Sequence, residues 1–133
     1  MQDYTKLLVW QRARSLTVSV NQLCRAFDRH VAPGLRAQLM RATMSVSANA
    51  AEGAGRESRV EFARFVTIAI GSTSEVIHHL VVADDLGMVD RVVVARLIDR
   101  ATEIRRMLFG LRRALLAKES EAHTTSAEQN HRQ

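Results

Sequence analysis

From Ser58 to Leu86 the chain runs 29 residues with no proline and a single glycine, Gly71. That is one helix of roughly 43 Å, at about 1.5 Å per residue. Phe62, Val66, Ala69, Thr73, Val76, Leu80 and Ala83 alternate spacings of four and three, the seam of a helical bundle. Phe65, Ile68, Ile70, Ile77, Val81 and Val82 lie off that seam, and from Phe62 to Leu86 the only formal charges are Arg64, Glu75, Asp84 and Asp85. A helix apolar nearly all round is a buried one. A four-helix monomer covers one stripe of each helix, so a second surface is expected over the rest. Ile68, Val81 and Val82 are the candidate oligomer contacts on this helix. A membrane span is not expected, because Glu75, His78, His79 and several Ser and Thr interrupt the run.

What precedes this helix fixes its start. Ala48 to Glu52 is alanine-rich and favours helix. Gly53 stands where a helix ending in a left-handed residue prefers glycine, and Gly55 offers a second permissive position. Ser58-Arg59-Val60-Glu61 reads as a capping box. The Ser58 hydroxyl can accept from the Glu61 N–H, and the Glu61 carboxylate can reach back to the Ser58 N–H. One helix is therefore expected to stop near Glu52 and the next to begin at Ser58.

Length and composition bound the remainder. The 133 residues suit one domain, and 47% hydrophobic content is enough for a core. One proline, six glycines and almost no period-two alternation argue against sheet, so the reading is all-α. Cys24 is the only cysteine, which excludes an intramolecular disulfide or a cysteine-based zinc site. The polar N-terminus carries no apolar signal core, and a cytoplasmic location is expected. Residues 1–118 carry 18 Lys and Arg against 11 Asp and Glu, a net +7; residues 119–133 carry one Arg against three Glu, a net −2.

In chain order, helix 1 is expected over about 5–27, with Val9, Ala13, Leu16, Val20, Leu23 and Phe27 as its seam and Trp10 packed beside it. Helix 2 is expected over about 33–52, opened by Pro33. Its seam is Leu35, Leu39, Ala42 and Val46, followed by Asn49, and Ala42, Ser45, Ala48 and Ala50 make a small inner face. Helix 3 spans about 58–86 and ends at Gly87. Asp90 is a plausible N-cap for helix 4, about 90–118. Helix 4 has the cleanest seam: Val94, Leu97, Ala101, Ile104, Leu108, Leu111 and Leu115. Phe109 points off it and joins the interface candidates. The four helices make an up-down bundle over residues 1–118. The polar segment 119–133 has no hydrophobic period and reads as a disordered tail.

Several short blocks recur in order: Leu8-Val9-Trp10-Gln11, Gly34-Leu35 with Gln38-Leu39 and Arg41-Ala42, Ser45 to Asn49, and Ala51-Glu52-Gly53 with Gly55-Arg56. Glu61-Phe62 with Arg64-Phe65, Gly71-Ser72 with Glu75, and Arg106-Met107-Leu108 with Gly110-Leu111 complete the set. Over about residues 4–116 this pattern resembles the bacterial four-helix-bundle proteins encoded within intervening sequences of 23S ribosomal RNA genes. That family includes the accessory variability proteins of diversity-generating retroelements. The resemblance implies a homopentameric barrel. It also implies, from the basic retroelement relatives, association with a reverse transcriptase and with nucleic acid.

The candidate chemistry is sparse. Arg105 and Arg112 lie seven apart, as do Arg106 and Arg113, and with Arg96 and Arg100 they form a basic face on helix 4 that suits nucleic-acid backbone. An ordinary solvated face, or salt bridges between subunits, explains them equally well. With only six aromatic residues, mostly at core positions, base stacking is not expected, and either RNA or DNA fits. The Gly53, Gly55 and Arg56 turn is a weaker anion candidate; it lacks the Gly-Lys-Ser/Thr ending of a P-loop. Glu75 and His79 share a helix face but find no second ligand helix, so no metal and no cofactor are expected. Asn49 reads as a buried polar residue that fixes register, with Glu52 as partner or cap. No nucleophile–base pair stands out, and no catalytic site is expected. A protein-interaction module without a nucleic-acid role is the alternative.

Overall fold

The computed structural model describes residues 3–132; Met1, Gln2 and Gln133, which the sequence reading places in the bundle and the tail, lie outside the described residues. Four helices follow one another: α1 Leu8–Cys24, α2 Leu35–Ala54, α3 Arg59–Asp85 and α4 Arg91–His131. Each packs on its neighbours in sequence, and α4 closes the ring against α1. Contacts at both ends of each pair run in opposite directions: Thr67 meets Arg112 and Ser74 meets Arg105, while Arg12 meets Met107 and Ser19 meets Arg100. The fold is an all-α, up-down four-helix bundle.

The seams are the core. Leu16, Val20, Leu39, Val46, Val66, Val76, Leu80, Ile104 and Leu108 are at most 2% exposed. The helix α3 is long and apolar enough to cross a membrane by length and composition. Its packing accounts for the seam, since Phe62, Val66, Ala69, Thr73, Val76, Leu80 and Ala83 are all buried against the other helices, while Ile68 and Val81 stay exposed. The Thr43 and Thr73 hydroxyls are buried without penalty because each donates to the carbonyl one turn back, Leu39 and Ala69, at 2.7 Å. Between α1 and α4 the packing is looser, and a cavity of about 410 Å³ opens there beside Arg12, Asp99, Arg100 and Glu103.

The ends of the helices differ from expectation in instructive ways. Ser58 is the N-cap of α3, its hydroxyl accepting from the Glu61 N–H at 3.0 Å. The reciprocal bond from the Glu61 carboxylate is absent among the described residues, so only half of the box forms. Gly53 is not the left-handed end of α2. The helix runs on to Ala54, and Gly55 caps it in the right-handed region, φ −80°. Gly53 is buried inside the last turn, and its lack of a side chain answers a close approach by α3. The left-handed glycine is Gly87, φ 67°. There the Met88 N–H reaches the Ala83 carbonyl (3.0 Å) and the Gly87 N–H reaches that of Asp84 (2.9 Å), a Schellman ending. Asp90 caps α4 as expected, accepting from the Val92 and Val93 N–H groups at 3.0 Å each.

At the other ends, Pro33 stands outside α2. Ala32 takes φ 46°, the Leu35 N–H closes a turn onto its carbonyl at 2.9 Å, and the helix starts only at Leu35. The helix α1 is shorter than 5–27. A 3-10 turn at Tyr4–Lys6, held by Asp3, precedes it, and i→i+3 bonds over Arg25 to Phe27 unwind its end. Ala48 is exposed rather than part of the inner face. Trp10 is half-buried, edge-on to Tyr4 with ring centroids 5.1 Å apart and under the Arg14 guanidinium. Past Lys118, where the sequence reading ends the bundle, α4 continues to His131. From Ser120 on, every described side chain is exposed, and the Thr124, Thr125 and Ser126 hydroxyls back-bond to carbonyls one turn earlier.

Candidate functional site

At 100° per residue, Arg105 and Arg112 share one stripe of α4, and Arg106 and Arg113 share the next. The neighbouring helices divide them. Arg105 leans over α3 and donates to the Ser74 hydroxyl at 3.3 Å. Arg112 does the same to Thr67 at 3.3 Å, with its guanidinium carbon 4.9 Å from the Phe109 ring centre. Arg100 leans the other way, over α1, and donates to Ser19 (2.8 Å) and Ser15 (3.2 Å). Arg106 pairs with Glu103 one turn back at 2.6 Å. Arg96 and Arg113 are exposed and make no hydrogen bond or ion pair among the described residues.

The charge balance follows from those partners. Serine and threonine hydroxyls orient a guanidinium without neutralising it. Among the described residues the ion pairs are Arg56–Glu52, Arg91–Asp84 and Arg106–Glu103. Of the six candidate arginines, only Arg106 therefore has a carboxylate partner. The six do not form one flat patch; they wrap α4 from the α1 side, across the solvent face, to the α3 side.

The apolar candidates separate into two places. Ile68 (46% exposed) and the half-buried Val82 are fourteen residues apart on α3, about 40° from one another around its axis. Val81 (43% exposed) continues the Thr67–Ser74 stripe seven residues on, toward α4, while Phe109 (40% exposed) stands on α4 itself, near the level of Ile70.

The glycine turn is tied up. Arg56 pairs with Glu52 at 2.5 Å and its guanidinium carbon lies 4.7 Å from the Phe65 ring centre, so Glu52 serves Arg56 rather than Asn49. Asn49 is half-buried, its side-chain amide donating to the Ser45 carbonyl (2.8 Å) and hydroxyl (3.0 Å). Ser45 in turn meets Ser72 of α3 at 2.7 Å, a cross-helix hydroxyl pair that periodicity alone does not reveal. The rings of His78 and His79 stand 5.4 Å apart, and no group of three metal-ligating side chains exists among the described residues. Burial pushes the Cys24 thiol above its ordinary value, against a smaller opposing pull from Arg36, which leaves it an inert core residue.

These features define a four-helix bundle whose last helix is wrapped in arginine. Residues 5–110 match the family described as 23S rRNA-intervening sequence protein, and the chain belongs to that family. Its fold is similar to a crystal structure, at 1.70 Å resolution, of a protein of unknown function from the S23 ribosomal protein family of Bacteroides thetaiotaomicron. The TM-score is 0.73 at 20% identity, covering 79% of this chain and 98% of that one. None of the curated proteins matches it.

Proposed function

We propose that this protein is a non-enzymatic, oligomeric basic bundle that binds nucleic-acid backbone, either directly or together with a nucleic-acid-handling protein such as a reverse transcriptase. The observation that carries the reading is the uncompensated charge of Arg96, Arg100, Arg105, Arg112 and Arg113 along one helix. Such contacts bind phosphate through counterion release, with weak sequence preference and steep salt dependence. Oligomerisation repeats the face by symmetry, so weak contacts add through avidity. The exposed Ile68, Val81 and Phe109 supply apolar surface for that assembly, and a pentamer agrees with the family resemblance.

The test is fluorescence anisotropy with duplex DNA and structured RNA across a salt series. Wild type is compared with an Arg96→Glu, Arg113→Glu double variant, which disturbs no internal partner. Wild type should bind at low salt, and the variant should bind more weakly with a shallower salt slope, by about 0.9 per lost phosphate contact on duplex. No binding at low salt, or equal binding by the variant, favours the other reading. In that reading Phe109 and its neighbours dock a protein, and the arginines only keep the surface soluble.

A further inference from the structure

On the far side of α3 from those arginines, a cleft of about 280 Å³ opens between α2 and α3. Gln38, Arg41 and Ser45 line it from α2, and Ser72, Glu75 and His79 from α3. All of these except His79 belong to the short blocks on which the family resemblance rests. The proposed nucleic-acid face uses none of them.

Counting protons shows what the cleft offers. The Asn49 amide donates into the Ser45 hydroxyl oxygen, and Ser45 and Ser72 share one hydrogen between them. Two hydroxyls carry two protons, so one O–H is left over from the pair. Ser72, 8% exposed, is satisfied by donating to Ser45, which leaves the spare O–H on the half-buried Ser45 at the cleft.

Two charged groups share the cleft. In the antiparallel pair, Arg41 lies one turn before Ser45 and Glu75 about one turn after Ser72, so both sit at the same end of the serine pair. Among the described residues neither makes a hydrogen bond or an ion pair, with one another or with any other side chain. The His79 imidazole is held below its ordinary pKa, by burial first and by His78 next, with Glu75 opposing. It enters the cleft as a neutral group near pH 7, able to donate from one nitrogen and accept at the other.

We propose that this cleft binds a small phosphorylated sugar, its phosphate against the Arg41 guanidinium and its hydroxyls against the Glu75 carboxylate and the Ser45–Ser72 pair. A guanidinium matches phosphate, a carboxylate accepts from vicinal hydroxyls, and the spare Ser45 proton can be donated to a sugar oxygen. A sugar-phosphate unit fits an open cleft of this size. A free nucleotide offers this chemistry, and so does the phosphorylated end of an RNA strand.

The experiment is amide NMR and calorimetry on the full chain. The probes are ribose 5-phosphate, adenosine 5′-monophosphate and a 5′-phosphorylated RNA hexamer, with ribose and inorganic phosphate as controls. Ribose 5-phosphate should bind with Kd below about 1 mM, shift the Ser45, Ser72 and Glu75 amides, and exceed either control roughly tenfold. Arg41→Ala and Glu75→Gln should each weaken it roughly tenfold or more, while Arg59→Ala, at an exposed residue outside both sites, leaves it unchanged. Both residues are exposed, so the variants should melt as wild type does. Binding confined to the hexamer, and lost in both variants, assigns the site to a strand end. The proposal is overturned if no probe moves those amides at 10-fold excess over about 1 mM. It is equally overturned if binding survives both substitutions, or if a double-mutant cycle shows Arg41 and Glu75 simply stabilising one another.

Discussion

A methyl group placed on Gly53 would lie 2.9 Å from Phe62 Cδ1, inside the closest approach that carbon atoms tolerate. It would also meet Phe65 Cβ at 2.9 Å and the Phe62 carbonyl oxygen at 3.2 Å, neither of which a rotamer change can move. The first turn of α3 thus presses directly on the last turn of α2. Alanine at position 53 gains about 1 kcal/mol of helix propensity, while overpacking costs about 1–3 kcal/mol, so the clash wins. Gly53→Ala should lower the melting temperature, and Gly53→Val should lower it further. Gly71→Ala and Gly110→Ala, where nothing lies within 4 Å of the added carbon, should leave it unchanged or raise it. Equal melting of all four variants and wild type would show that the two helices are not in contact at this point.

The same residue marks the limit of what the sequence reveals. A glycine near a helix end signals either a left-handed backbone or a close neighbour, and one chain alone does not say which. Gly53 is the second kind and Gly87 the first. Seam positions such as Leu16, Leu80 and Leu108 were legible because burial repeats with the helical period. The partners of Arg100, Arg105 and Arg112 were not, because periodicity places a residue on a stripe without saying which hydroxyls the next helix offers. Ser45 and Ser72 are 27 residues apart, and only the register of α2 on α3 brings them together.

The helix N-caps should be separable by mutation. Ser58 accepts one backbone N–H and Asp90 accepts two. Ser58→Ala should cost about 1 kcal/mol, within the usual 0.5–2 kcal/mol for a lost cap, and Asp90→Ala at least as much. Chemical denaturation with an unchanged m-value would read both costs cleanly. An Asp90→Ala variant as stable as wild type would mean that α4 begins elsewhere.

Acid should destabilise the fold partly through His79. Its folded pKa lies below that of the unfolded chain, so the unfolded state binds the extra proton. Stability is therefore full above roughly pH 6.5, the unperturbed histidine value, and declines as the pH falls through the folded pKa. His78 and burial favour this direction; Glu75 opposes it, and Arg41 adds positive charge on the facing helix. His79→Gln should flatten the melting temperature between pH 7 and pH 5. An unchanged profile in that variant would assign the acid sensitivity to other groups.

The last prediction concerns α4 beyond Leu115, the final buried residue of the chain's described part. Helical hydrogen bonds continue to His131, but no described side chain from Ser120 onward is covered. Isolated helices shorter than about 12–15 residues are marginal in water, and serine and threonine hydroxyls that bond back to the helix do not help. Amides 120–131 should therefore exchange with solvent orders of magnitude faster than those of Ile104 and Leu108. Deleting residues 119–133 should leave the melting temperature nearly unchanged, because none of the described side chains removed is buried. The deletion removes three glutamates and one arginine, and the formal charge rises from +5 to +7. If α4 binds nucleic-acid backbone, the truncated protein should bind more tightly than the full chain at low salt, and the difference should shrink as salt is added. Amides in 120–131 protected as strongly as the core would instead show that another copy of the chain covers this segment in solution.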